Sequence, residues 1–495
     1  MDIIYRSTRG DSKEYTASAA IIKGIADDGG LFVPDRIPAI DASLKELCDM
    51  DYKEMAYRIM RLLLTDFTET ELRRCIDKAY DEKFDTKEIA KLEEASGAFF
   101  LELYHGATIA FKDMALSILP HLMITAAKKN NVKGDIVILT ATSGDTGKAA
   151  LAGFADVPGT KIIVFYPKDG VSPIQKKQMV TQKGDNTFVV GIEGNFDDAQ
   201  TGVKKLFGDK DLAAWMEERG CRFSSANSIN IGRLIPQIVY YFFAYTRLVN
   251  KGVISAGDKI NFTVPTGNFG NILAAYYASL MGLPVNKLIC ASNENKVLYD
   301  FFGTGTYDRN RDFKLTSSPS MDILISSNLE RLIYNICDND PTKCASFMKD
   351  LSSGGKYTIT DDMRLKLDSF VGGTADEEET FSTIKKVFDD SHYLIDTHTA
   401  VGAAVYFGYR DDTKDDTPTV VASTASPYKF TKSVLRAISP ADVSDDDFAM
   451  ADRLSELSQV KIPDAIESIR NAQVRHTAIC SVEKMRDTVK SFIER

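Results

Sequence analysis

From about residue 135 the chain alternates short β-rich apolar runs with helical stretches. The runs are "DIVILTA" (135–141), "KIIVFYP" (161–167), "NTFVVGI" (186–192), "KINFTVP" (259–265), "KLICAS" (287–292) and "PTVVAS" (418–423). "TGKAALAGFA" (146–155) and "GNILAAYYASLMG" (270–282) carry helical texture between them. This alternation predicts βαβ units and a mainly parallel sheet, an α/β fold. Residues 42–95 differ. "SLKELCDMDYKEMAYRIMRLLL" and "TETELRRCIDKAYDEKF" show helical periodicity with dense charge, as expected of surface helices in an N-terminal region. The polar stretch 303–320, "GTGTYDRNRDFKLTSSPS", reads as a surface excursion or lid, and 410–418, "RDDTKDDTP", as an exposed loop.

Two of the strands end in turns that suit anions. "LTATSGDTGKAALAG" (139–153) runs from a strand through Thr142, Ser143, Gly144, Asp145 and Thr146 into a helix. A helix N-terminus offers free amides and the positive end of a dipole, and glycines let a ligand approach the backbone. A P-loop is excluded, because it needs Gly at 142 and Ser or Thr at 149, where the chain has Thr142 and Ala149. The dinucleotide GxGxxG is absent as well. The simpler reading is a helix capped by Asp145 or Thr146. "NFTVPTGNFGNILAAYY" (261–277) repeats the design, with Gly267, Asn268, Phe269, Gly270 and Asn271 between strand and helix. Two such cradles point to two bound anionic groups at the carboxyl edge of an open sheet.

Candidate chemistry comes from "HGATIAFKDMALSIL" (105–119), which sets Lys112 within an apolar run. Lost hydration disfavours the charged amine, and a neutral lysine amine condenses with carbonyls. A surface lysine pairing with Asp113 is the plainer alternative. A desolvated lysine, two anion cradles and no metal-ligand spacing together describe a site for pyridoxal 5′-phosphate. The five histidines fit no metal motif and read as mostly structural.

Composition narrows the setting. A chain of 495 residues implies two or three domains. A net charge of −10 disfavours nucleic acid and anionic membranes as partners, though not a small anionic substrate. Seven scattered cysteines with no CxxC, and a start without an apolar segment, predict a cytoplasmic enzyme with neither disulfides nor a signal peptide. Monomer and homodimer both stay open.

These motifs, in this order, resemble the threonine synthase family of bacteria and fungi, pyridoxal-phosphate enzymes of the tryptophan-synthase-β fold (fold type II). The resemblance begins at "STRG" and "DDGGLFVPDRIP", runs through the three stretches above, "NSINIGRLIPQ", "SPSMDILISSNLERL" and "DTHTAVGAAV", and ends at "STASPYKFTKSV". It implies an N-terminal region over 1–98, a small α/β domain over 119–224, and a large domain from 99–118 and 225–495. It implies conversion of O-phospho-L-homoserine and water to L-threonine and phosphate, with a phospho-lyase yielding 2-ketobutyrate, or an inactive homologue, as alternatives. By the same resemblance Lys112 carries the cofactor, and Gly267, Asn268, Phe269, Gly270 and Asn271 hold its phosphate. Thr424 lies beside the pyridine nitrogen, and Asp145 is assigned to the cofactor. Thr142, Ser143, Gly144 and Thr146 take the substrate carboxylate, and Asn227, Ser228 and Arg233 its phosphate. The family's "STAHPAKF" is here "STASPYKF", with Ser426 for His and Tyr428 for Ala. This departure bears on substrate range.

Overall fold

In a computed structural model, residues 2–142, 144–169, 171 and 173–494 are described. Two sheets organise the molecule. The larger has six strands, in the spatial order Phe370–Thr374, Val285–Ser292, Ile260–Pro265, Thr419–Ser423, Ala98–Glu102 and Lys91–Ala95. Its neighbours pair in parallel except the last two. The smaller has five parallel strands in the order Ala478–Cys480, Thr187–Ile192, Thr160–Pro167, Asp135–Ala141 and Cys221–Ser224. Every residue of Ile260–Pro265 and of Thr419–Ser423 is buried, as in a sheet covered on both faces. All six expected strands form, and the fold is the parallel-rich α/β architecture expected.

The N-terminal helices are less superficial than their charge suggests. Tyr52–Leu63 starts at Asp51, whose side chain accepts the Glu54 amide, and Glu69–Ala79 starts with a reciprocal Thr68–Glu71 capping box. Their apolar faces, including Met55, Ile59, Leu63 and Leu72, merge with the main core around the helix Ile231–Asn250. The helical expectation over 42–95 also runs too far. Lys91–Ala95 is a strand, returned on Ala98–Glu102 by Ser96 and Gly97, both at positive φ. That is the geometry of a two-residue hairpin, so a tight turn decides the period there.

At the other end, the segment expected to belong with the large sheet returns to the small one. Ala478–Cys480 extends its edge beside Thr187–Ile192, and the helix Met485–Ile493 packs Met485, Val489 and Phe492 against that core. Among the described residues no helix is long and apolar enough to cross a membrane.

Candidate active site

The carboxyl ends of three strands carry loops of the site. Asp135–Ala141 leads into Thr142–Thr146, Ile260–Pro265 into Gly267–Asn271, and Thr419–Ser423 into Thr424. The segment that bears Lys112 is pinned to the third. Phe111 donates its amide to the Thr424 carbonyl at 2.8 Å, and Ser426 donates to the Ile109 carbonyl at 3.0 Å. Ile109 has φ +52°, a genuine outlier for a β-branched residue. The Asp113 carboxylate takes the Thr108 amide at 2.8 Å and hydroxyl at 2.6 Å, which closes the loop.

Held in this way, the Lys112 side chain is only 13% exposed. Its Nζ donates to Ser320 Oγ at 3.3 Å and stands 3.8 Å from Asp145 Oδ2. Burial, with Lys429 and Arg233 as neighbouring cations, outweighs Asp145 and Asp113 and lowers its proton affinity to about 8. The sequence reading of an amine poised to shed its proton fits these surroundings.

Asp145 is not a cap. Gly144 is the N-cap of the helix Asp145–Phe154, at φ +145° and without a side-chain cap bond. A Cβ at Gly144 would come within 2.6 Å of Gln175. The loop is closed instead by Thr142, whose hydroxyl accepts the amides of Gly144 at 2.9 Å and Gly147 at 3.0 Å. This leaves Asp145 free to bond elsewhere. It accepts from Ser320 Oγ at 2.9 Å and Gln175 Nε2 at 3.0 Å, and lies 3.2 Å from Lys429 Nζ. Burial works to raise its carboxyl, but Lys429, Lys112 and the Ser320 hydroxyl hold it well below the usual carboxylate range. Thr146 is half-buried beside it. Ser143 lies outside the described residues.

Three members of this cluster were not singled out in the sequence. Lys429 has a side chain 1% exposed and also donates to the Thr108 carbonyl at 3.1 Å. Ser320 ends the stretch read as a surface excursion. Its amide donates to His398 Nε2 at 3.1 Å, so the ring's hydrogen is on Nδ1, 2.8 Å from Asp396 Oδ2. His398, read as mostly structural, thus supports Ser320 within the site. The order of the polar residues in 303–320 holds no signal for this, because the contacts come from distant chain.

The second cradle is built from backbone. Among the described residues the amides of Asn268, Phe269, Gly270 and Asn271 make no hydrogen bond, at the start of the helix Gly270–Leu280. The loop carbonyls are occupied: Ser326 Oγ donates to Gly267 at 2.7 Å, and Asn328 Nδ2 to Asn268 at 2.9 Å. Phe269 is in the left-handed region, φ +63°, uncommon for a bulky side chain. Asn271 Oδ1 accepts the hydroxyls of Tyr240 at 2.6 Å and Tyr241 at 2.5 Å, while its buried Nδ2 has no partner among the described residues. A Cβ on Gly267 would lie 2.6 Å from the Ser320 carbonyl, so only glycine fits between the cradle and the cluster around Lys112.

Arg233 is on the first turn of Ile231–Asn250. Its guanidinium donates to the Ala226 carbonyl at 3.0 Å, but its buried Nε has no partner among the described residues. Burial alone lowers its proton affinity to about 10. A buried guanidinium with no carboxylate calls for an external anion. Asn227 is exposed and Ser228 half-buried, and the Asn227 amide donates to Ser225 Oγ at 3.2 Å. Thr424 is buried with its carbonyl committed to Phe111. Ser426 caps the turn Pro427–Phe430 by accepting the Tyr428 amide at 3.3 Å. Among the described residues no cluster could hold a metal ion.

The sequence model described as "Pyridoxal-phosphate dependent enzyme" matches residues 86–425, flanked by "Threonine synthase N terminus" over 4–80 and "Threonine synthase, C-terminal" over 399–492. The threonine synthase of Schizosaccharomyces pombe is 35% identical over 469 residues, covering 88% of this chain and 90% of its own. The chain belongs to the threonine synthase family. "Threonine synthase-like 1" of Homo sapiens is 40% identical over 441 residues, covering 86% of this chain. This chain spans only 58% of that relative's length. Among solved structures, the PLP-bound threonine synthase from Brucella melitensis superposes with a TM-score of 0.88 at 32% identity, covering 100% of both chains. Threonine synthase from yeast gives 0.89 at 32% identity, covering 99% of both. Threonine synthases are pyridoxal-phosphate enzymes, and the residues here fit that group: unbonded amides at a helix start, the unpartnered Asn271 Nδ2, and a desolvated Lys112.

Proposed function

We propose that the chain converts O-phospho-L-homoserine and water into L-threonine and inorganic phosphate. The observation that carries this reading is the buried Arg233 guanidinium, whose Nε has no partner among the described residues, close enough to the desolvated Lys112 to act on its charge. A phosphate on the substrate gives that buried cation an anion to bind.

The amides of Gly267–Asn271 would hold the cofactor phosphate, and Lys112 would anchor its aldehyde. When bound, pyridoxal phosphate delocalises negative charge developing at the substrate's Cα and Cβ. Lys112, once released, is the amine that moves protons at those two carbons. The Thr142–Thr146 loop takes the carboxylate through its amides and hydroxyls, and Asp145 orients Lys112. Arg233, with Asn227 and Ser228, binds the phosphate and stabilises it as it departs from Cγ. The Thr424 hydroxyl would be the partner of the cofactor's pyridine nitrogen. As a neutral partner it does not favour protonation there.

The small domain, 119–224 with the returning 478–493, closes on the large one when the carboxylate binds. Closure keeps water out until phosphate has left. Seven free thiols support a reducing, cytoplasmic setting.

A phospho-lyase reading has one observation in its favour. Ser426 stands where the family carries His, and its hydroxyl is committed to capping a turn. One assay separates the two. Purified protein with O-phospho-L-homoserine should release threonine and phosphate in equal amounts. Keto acid and ammonia in place of threonine, again with one phosphate each, would establish the lyase, and no phosphate release at all would refute both.

A further inference from the structure

Lys429 belongs to none of the roles above, yet its side chain is only 1% exposed. Its ammonium lies 3.2 Å from Asp145 Oδ1, while Lys112 approaches the other oxygen at 3.8 Å. One carboxylate therefore separates two lysines. Lys429 is fixed from a third direction by the Thr108 carbonyl at 3.1 Å, in the loop that bears Lys112. It is carried by the turn Pro427–Phe430 after a strand of the large sheet, whereas Asp145 begins a helix of the small one. The ion pair thus crosses between the two sheets.

A buried, well-bonded ion pair is costly to form and more costly to break on one side. Asp145 also accepts from Ser320 and Gln175, so both of its oxygens are satisfied. With Lys429 paired to it, Asp145 has less charge to offer Lys112. Without Lys429, the full carboxylate would face Lys112 and hold its proton. We infer that Lys429 is a positioning residue that fixes Asp145 and, as a like charge behind it, keeps Lys112 from retaining its proton.

The charged groups facing Lys112 are Asp145, Lys429, Arg233 and Asp113, and those facing Asp145 are Lys429 and Lys112, with the titratable ring of His398 also turned toward it. The balance at Lys112 therefore has a defined sign for each change. Removing Lys429 deletes a repelling cation and releases an attracting anion, and both effects raise the proton affinity of Lys112. Neutralising Asp145 deletes the attraction and leaves the repulsion, which lowers it.

The inference rests on the reading of Lys112 as the reactive lysine, but its test does not need turnover. The full chain, freed of cofactor, is labelled with trace acetic anhydride across a pH series, and the Lys112 peptide is quantified by mass spectrometry. In the wild type, labelling of Lys112 should rise with a midpoint near pH 8, as expected for its amine at about 8. In Lys429→Met the midpoint should move up by about one pH unit or more. Lys429→Arg keeps the cation and should stay within about half a unit of wild type. Asp145→Asn should move it the opposite way, and Lys429→Gln takes the place of Lys429→Met if that variant does not fold. Opposite shifts support the inference. An unchanged midpoint in folded Lys429→Met, or an upward or absent shift in Asp145→Asn, overturns it. Failure to make threonine would refute the proposed reaction while leaving this result standing.

Discussion

The two loops that look alike in sequence are built by different means. Thr142–Thr146 is organised by side chains: a threonine hydroxyl gathers two amides, and an aspartate joins two lysines. Gly267–Asn271 is organised by backbone: the carbonyls of Gly267 and Asn268 are held from outside, its amides are unbonded among the described residues, and an aromatic residue accepts a left-handed conformation. The same strand–glycine–helix pattern therefore yields one loop that presents charge and hydroxyls and one that presents bare N–H groups. The second has the bare N–H groups that suit a permanently bound phosphate. The first suits a ligand that comes and goes, because its own bonds persist without one.

The largest effect should come from removing the amine between the two loops. Lys112→Ala should lower kcat by at least about a thousandfold, the upper part of the range for a proton-transferring group. It should also abolish borohydride labelling of the cofactor onto the chain. Labelling that persists on another lysine would refute the assignment. Next, Gly267→Ala attacks the backbone cradle. Its Cβ would lie 2.6 Å from the Ser320 carbonyl, a backbone atom that cannot turn aside. Cofactor affinity, followed by visible absorbance during dialysis, should drop about tenfold or more, the size of one lost or distorted charge-assisted contact. An unchanged affinity would mean that the cradle does not hold the cofactor.

The legibility of these features in the sequence follows the range of the forces behind them. Strands such as "DIVILTA" and both glycine loops are read from neighbours along the chain. Lys112 stands out because an ionisable group interrupts an apolar run. Lys429, in "SPYKF", has polar and aromatic neighbours and no such contrast, and its burial depends on Asp145 and Thr108 arriving from elsewhere. Ser320 and His398 are hidden for the same reason. Ala478–Cys480 is three residues long, too short for a period to show, and exists as a strand only because Thr187–Ile192 offers it an edge.

Arg233→Ala should have the next effect. Loss of a charge-assisted contact to the substrate phosphate should cost about 1.5–3 kcal/mol, roughly ten- to a hundredfold in kcat/KM for O-phosphohomoserine. Unphosphorylated homoserine should bind as before. Equal losses for both would move Arg233 out of the phosphate site.

The smallest effect should come from the side-chain loop. Thr146→Val should weaken amino-acid binding by about 0.5–1.5 kcal/mol, as for one neutral hydrogen bond, while the cofactor stays bound. Its share of keto acid product should rise as closure becomes incomplete. If cofactor affinity falls instead, the division of labour between the loops is mistaken.

The central claim is that the two loops hold different anions on either side of Lys112. A crystal structure with pyridoxal phosphate and a non-hydrolysable phosphonate analogue of O-phosphohomoserine tests it most directly. The account predicts the cofactor phosphate on the amides of Gly267–Asn271, the analogue's carboxylate on Thr142–Thr146, and its phosphonate on Arg233, with the small sheet drawn toward the large. A carboxylate bound away from Thr142–Thr146, or a phosphonate bound away from Arg233, would contradict it.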